Sequence, residues 1–370
     1  MSPQMKKLSI LGIRGIPAAH GGFETFAEYL SLYLVSKGWE VTVYCQVEEG
    51  EVSSTVWNGV NLINIPVKQG GSLGTVIFDF KSIVASLKSD DVILTLGYNT
   101  AIFNVLHSIT RRKNIINMDG IEWKRDKWGK VAKGWFWINE RLGCWFGSHL
   151  IADHPKIKTH LESRVKSEKI TMIPYGAKFI DNVGSESLNK LGLRKKEYLI
   201  IIARAEPENS ILEIVTGFSN QKRDVKLLIL GNYDFVNNSY HKLIQKAANE
   251  EVIFAGAIYD SAVVSELRFH ALAYIHGHRV GGTNPSLVEA LGAGNAVIAH
   301  DNEFNRWVVG EETMFFSDAE SCSEKIGMII SSQDLAQRMR HSSISKYRAN
   351  FTWENVLQSY EELLLAWARK

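Results

Sequence analysis

ALAYIHGHRVGGTNPSLVEALGAG, residues 271–294, joins an apolar run to a glycine loop and then to a helix signal. The run ALAYIH reads as a short buried strand. Gly281 and Gly282 follow, then Thr283 and Asn284 as caps, Pro285 suited to the first helical position, and Gly294 as the stop. Strand, glycine loop and helix in that order make one unit of a parallel α/β sheet. The start of such a helix gathers free N–H groups and the positive end of the dipole, which suits a diphosphate. Glu289, one turn further in, lies off the stripe of Leu287, Ala290 and Leu291, where its carboxylate can reach a ribose diol. A well-capped core helix with an acidic residue near its start explains the same residues, so the stretch by itself leaves both readings open.

Outward from this stretch the same grammar repeats. Upstream, the runs KLSILGI, EVTVYC, DVILTLG, NIINMDG, HLIADH and KITMIPYG alternate with helical periodicity such as Phe26, Leu30, Tyr33 and Leu34. In TVWNGVNLINIPV, Asn58-Gly59 between apolar runs predicts a hairpin that decorates the first sheet. A polar stretch after Pro174-Tyr175-Gly176 separates this series from a second, EYLIIIARA, VKLLILGN, EVIFAGA, ALAYIH, NAVIAHD and TMFFS. The pattern predicts an α/β protein of two doubly wound, Rossmann-like domains, residues 1–178 and 179–350. Val356, Leu357, Tyr360, Leu363, Leu364 and Trp367 share a helical face, so 351–370 needs an apolar surface to cover.

Composition narrows the function. A chain of 370 residues exceeds one ordinary core, and 45% hydrophobic with 22% charged residues is globular. The formal net charge of +2 gives no global reason to expect nucleic acid as a partner. Cys45, Cys144 and Cys322 stand far apart, without metal-ligand spacing, which fits a reducing, cytoplasmic compartment. No secretory leader and no long apolar run is present, so a protein neither exported nor membrane-spanning is expected.

Four segments carry a resemblance: RGIPAAHGGFET (14–25), DGIEWKRDKW (119–128), ARAEPENS (203–210) and TNPSLVEA (283–290). On these the chain resembles glycosyltransferase family 4, the retaining GT-B enzymes, and within it a bacterial rhamnosyltransferase-like branch marked by the first segment. The resemblance implies two Rossmann-like domains facing a cleft, with a C-terminal helix returning to the first. It also implies a nucleotide-sugar donor, dTDP- or UDP-linked, and no metal or other cofactor. It places Gly21 and Gly22 beside the donor diphosphate, and Arg14, His20 and Glu24 on the acceptor side with Glu122, Trp123 and Arg125. It assigns Gly231, Gly256, Ile258, Gly282, Thr283, Asn284, Ser286 and Leu287 to the donor, the turn FAGAIYD (254–260) meeting the base through its backbone.

Asp119 follows the strand NIINM, where catalytic residues of such sheets lie; it reads as the group that accepts the acceptor proton or orients the sugar, or as a capping Asp before a turn. Arg204, directly after YLIIIA, suits neutralisation of the departing diphosphate. Two departures stand out. Many family members place a lysine five residues after this arginine, and here the position is Asn209; the first of two glutamates spaced eight apart is replaced by Gly281. His278 is the nearest polar substitute, or else a core histidine. A dehydrogenase fits poorly, because GIRGIP is not G-x-G-x-x-G and EVTVYCQ ends in Gln46 rather than an acid.

WKRDKWGKVAKGWFWINERLGCWF (123–146) mixes cations with aromatics, which suits anionic headgroups, a lipid-linked saccharide acceptor and peripheral membrane contact. A solvated basic face over buried tryptophans suits it as well, since no clean amphipathic division emerges. A nucleotide-sugar epimerase and an inactive binding subunit are the rival classes.

Overall fold

Residues 6–18, 21–89 and 91–368 are described by the computed structural model. The chain forms two compact units, Met1–Pro174 with Trp353–Lys370, and Tyr175–Thr352. The crossing at Pro174 comes four residues before the polar stretch suggested.

The first unit is an eight-stranded sheet of β1 (Lys7–Leu11), β2 (Glu40–Val47), β3 (Ser53–Trp57), β4 (Val60–Pro66), β5 (Val92–Leu96), β6 (Asn114–Asn117), β7 (His149–Ala152) and β8 (Ile170–Met172). Its order is β3-β4-β2-β1-β5-β6-β7-β8. Every pairing is parallel except β3 with β4, the expected hairpin, where Asn58 and Gly59 both take positive φ. The helix Trp353–Ala368 completes this unit: Tyr360 packs on Phe26 at 4.6 Å and takes a hydrogen bond from Asn117 Nδ2 at 2.8 Å. Glu361 accepts from Tyr33 Oη at 2.9 Å and Trp39 Nε1 at 3.3 Å.

The second unit is a six-stranded, wholly parallel sheet of β9 (Tyr198–Ile202), β10 (Lys226–Leu230), β11 (Val252–Gly256), β12 (Ala273–His276), β13 (Ala296–His300) and β14 (Met314–Phe316). The order β11-β10-β9-β12-β13-β14 puts the topological switch between β9 and β12. Period-two alternation sorts the strand residues onto two cores. Tyr198, Ile200, Tyr274, Val297 and Ala299 join Leu287 and Leu291 on one face, and Leu199, Ile201, Ile275 and Ile298 take the other. Burial on both faces is why these strands read as continuous apolar runs. The two Rossmann-like units are those expected from the sequence.

Candidate functional site

In an open parallel sheet the carboxyl ends of the strands beside the switch point frame a crevice. In the second unit those ends release the loops after β9, residues 203–210, and after β12, residues 277–284. The two loops touch. Asn209, 3% exposed, donates its amide to the Arg204 carbonyl at 2.8 Å and presents its oxygen to His278 Nδ1. The chains run so close at Gly277 that any Cβ there would overlap the Asn209 carbonyl. Glycine is therefore required at 277, a position that sequence reasoning passed over although it directly follows the strand. Asn209 thus staples two loops and does not replace a missing cation. Arg204 is exposed, and its guanidinium has no ion pair among the described residues.

Gly281 has φ +142°, a backbone that favours glycine, and a Cβ built on it would lie 3.3 Å from His278 Nε2. The imidazole fills the space where a side chain at 281 would begin. His276, next to it at 5.9 Å between ring centres, is held well below the usual histidine range by burial and then by His278 and His300.

Asn284 caps the helix Pro285–Gly292 by accepting from Ser286 N at 3.0 Å. The first N–H of the helix proper is therefore spent, and Leu287 N donates to Asn284 O at 3.1 Å. Just before the helix, the N–H groups of Gly281, Gly282 and Asn284 donate to no partner among the described residues. Thr283 is buried in the same loop. This corrects the sequence expectation for two residues. Leu287 is fully buried in the core. Ser286 Oγ is taken up by Ile202 O at 3.2 Å, Tyr274 Oη at 2.8 Å and Arg268 at 3.0 Å. Arg268, itself buried, also holds Glu289 at 2.6 Å, so the carboxylate is fixed at the helix surface. No local sequence signal announces Arg268, which arrives from the helix Ser261–His270.

Gly231 and Gly256 close the ends of β10 and β11, with Gly231 N donating to Gly256 O at 3.0 Å. Ile258 packs its side chain against the core, leaving only its backbone for a ligand.

In the first unit, Asp119 stands in the loop after β6 with φ +51°. Such a conformation is uncommon for a non-glycine residue and costs strain. Its N–H donates to Asn117 Oδ1 at 3.0 Å. Burial first, and then the charge of Glu122, push its carboxyl up to about 6. Glu122 is 9% exposed and fully engaged: Arg125 Nη1 at 2.8 Å, Trp128 Nε1 at 3.0 Å, and its own N–H to Tyr98 Oη at 2.8 Å. Burial raises its pKa, but Arg125 and Trp128 outweigh that and hold it below the usual value. Trp123 Nε1 donates to the buried Glu140 at 2.6 Å. Glu122, Trp123 and Arg125, expected on the acceptor side, are therefore tied into the scaffold that holds the Asp119 loop.

Gly21 precedes, and Gly22 opens, the helix Gly22–Ser36. Glu24 in its first turn accepts from Arg14 N at 3.3 Å, and Glu28 from Ala18 N at 2.7 Å, so both carboxylates shape the loop after β1. Glu24, expected on the acceptor side, serves this loop. The exposed Arg14 lines a cavity of about 480 Å³ with Gln46, Lys68, Gln69 and Thr75. His20 lies outside the described residues. Among the described residues no cluster of three or more His, Cys, Asp or Glu side chains is arranged to hold a metal, and no helix is long and apolar enough to cross a membrane.

Residues 5–178 match the family model described as a domain of unknown function, DUF1972, and residues 185–346 that described as glycosyl transferases group 1. An uncharacterized glycosyltransferase of Methanocaldococcus jannaschii is 22% identical over 213 residues, 55% of this chain and 54% of the relative. The aligned part thus spans about half the length of that curated relative. Among solved structures, the sucrose-phosphate synthase of Thermosynechococcus elongatus superposes with a TM-score of 0.78 at 17% identity, covering 98% of this chain and 100% of the other. Anabaena HepE in complex with UDP and glucose gives 0.76 at 15% identity, with 98% and 100% covered. A trehalose-phosphate synthase of Burkholderia xenovorans with glucose-6-phosphate gives 0.73 at 12%, covering 97% and 100%. These likenesses establish the fold of this chain as GT-B. The second unit carries a glycosyl transferases group 1 domain, and the enzyme class expected from the sequence, a glycosyltransferase, is the class of that domain.

Proposed function

We propose that this protein transfers a sugar from a nucleotide-sugar donor to a saccharide hydroxyl. The observation that carries the reading is the pair of loops at the switch point of the second sheet. There the exposed, unpaired Arg204 and the open N–H groups of Gly281, Gly282 and Asn284 supply donors for a diphosphate, and Glu289 stands one turn away. Relatives of the same fold hold UDP, UDP with glucose, and glucose-6-phosphate, which supports a nucleoside-diphosphate sugar as donor and a saccharide as acceptor.

In this reading Arg204 and the loop N–H groups stabilise the charge that develops on the leaving diphosphate. His278, beside Gly281, makes the sugar contact that a carboxylate at 281 makes elsewhere in the family. Asp119 accepts or orients the acceptor hydroxyl proton. Transfer proceeds with retention and without a metal. The donor is dTDP-rhamnose, with a UDP-hexose as the alternative, and the acceptor is a lipid-linked saccharide on the inner face of the cell membrane.

A thermal-shift panel of dTDP, UDP and their sugars, run with and without EDTA, tests this. A ligand that binds the folded state raises the unfolding temperature by mass action. The expected result is an EDTA-insensitive shift for one nucleoside diphosphate that is lost in Arg204→Ala. No shift with any of them, or an equal shift in R204A, rejects the reading.

A further inference from the structure

The helix Lys130–Phe146 of the first unit is turned inside out. Its buried side carries Asn139, Glu140 and Gly143 beside Phe136 and Cys144. Asn139 accepts from Ile102 N at 2.9 Å, and Glu140 meets Trp123 and, at 3.0 Å, His160. Its outer side is apolar. Val131, Trp135, Ile138, Leu142 and Trp145 follow the spacing 4-3-4-3, which brings them within about 40° of one line along the helix. Val131 is 89% exposed, Trp145 61%, Ile138 47% and Trp135 37%. Ile102 and Ile109, on the neighbouring helical turns, are exposed as well.

Contiguous apolar surface of this kind marks a docking site. The charge around it says what docks. Lys130 and Arg141 run along one flank, with Arg141 3.3 Å from the ring centre of Trp137, and the exposed Lys124 stands just before the helix. The one acid within the helix, Glu140, is buried. We propose that this face seats on an anionic lipid surface, with the tryptophans at headgroup depth and the cations on the phosphates. Tryptophan rings favour that interfacial layer, and each lysine or arginine near it adds attraction to anionic lipid. The inference rests on the surface of the first unit alone and is independent of the donor reading.

Co-sedimentation of the full chain with vesicles tests it. Binding is expected to vesicles containing phosphatidylglycerol, weak binding to pure phosphatidylcholine, and loss of binding as salt rises and screening shortens. Ile138→Glu with Trp145→Glu removes apolar contact at exposed positions and should abolish sedimentation. Lys124→Glu with Lys130→Glu, which leaves the stripe intact, should weaken binding roughly tenfold or more. Circular dichroism and the unfolding temperature report that both variants fold. Absent binding to anionic vesicles, binding unchanged in the folded variants, or a wild-type dimer that I138E/W145E converts to monomer, overturns the proposal.

Discussion

Asp119 is held in a left-handed backbone conformation, half buried, with a second carboxylate nearby, and each of these favours its neutral form or costs energy. Its folded-state value of about 6 lies above the ordinary 3.8 of an aspartate, so the fold is favoured while the carboxyl is protonated and loses that advantage as pH rises from about 4 through 6. Asp119→Asn keeps the left-handed preference and removes the charge. It is expected to raise stability at pH 8 by on the order of 1–3 kcal/mol while lowering transfer by at least about 100-fold. Urea unfolding and initial rates measured together check this, and in the wild type the rate should fall as pH drops through 6. Asn209 supplies the opposite lesson. Because its amide is spent on Arg204 O and His278, restoring the family's lysine by Asn209→Lys buries an ammonium and breaks both hydrogen bonds. The expected outcome is a loss of roughly 2–4 kcal/mol in chemical denaturation and slower transfer. His278→Ala should weaken binding of the nucleotide sugar several-fold in calorimetry while leaving the nucleoside diphosphate nearly unchanged, separating sugar from diphosphate recognition.

At the scale of elements, the helix Pro285–Gly292 is held at its start by one side chain. Asn284→Ala should cost about 1 kcal/mol in thermal unfolding, since it orphans the Ser286 N–H. That helix was legible because its cap, its proline and its stop are local signals within a few residues. So were all the strands, whose apolar runs are continuous wherever both faces are covered. What stayed hidden was set by distant partners. Nothing near Glu289 announces Arg268, so a carboxylate read as reaching a ribose turned out to be engaged, and nothing near Glu122 announces that its N–H is held by Tyr98. The helix Lys130–Phe146 escaped for another reason. With polar residues inside and apolar ones outside, periodicity could not say which face was the core.

At the scale of the molecule, each unit has its own sheet and its own core, so each is expected to melt as a cooperative block. Scanning calorimetry with a nucleoside diphosphate should move the transition of Tyr175–Thr352 and leave that of the other unit nearly in place. Truncation after Thr352 should do the reverse and destabilise the first unit, because the lost helix carries Tyr360 and Glu361. The second unit is continuous in sequence; the first is not. During synthesis a chain emerges N-terminal part first at about 5–20 residues per second, and units generally fold in that order. Here the order is inverted: the second unit is whole once Thr352 has been made, while the sheet begun at Lys7 waits for the helix Trp353–Ala368. Until then Phe26 and the underside of the first helix stay uncovered, so of the two units the one begun earlier needs protection longer.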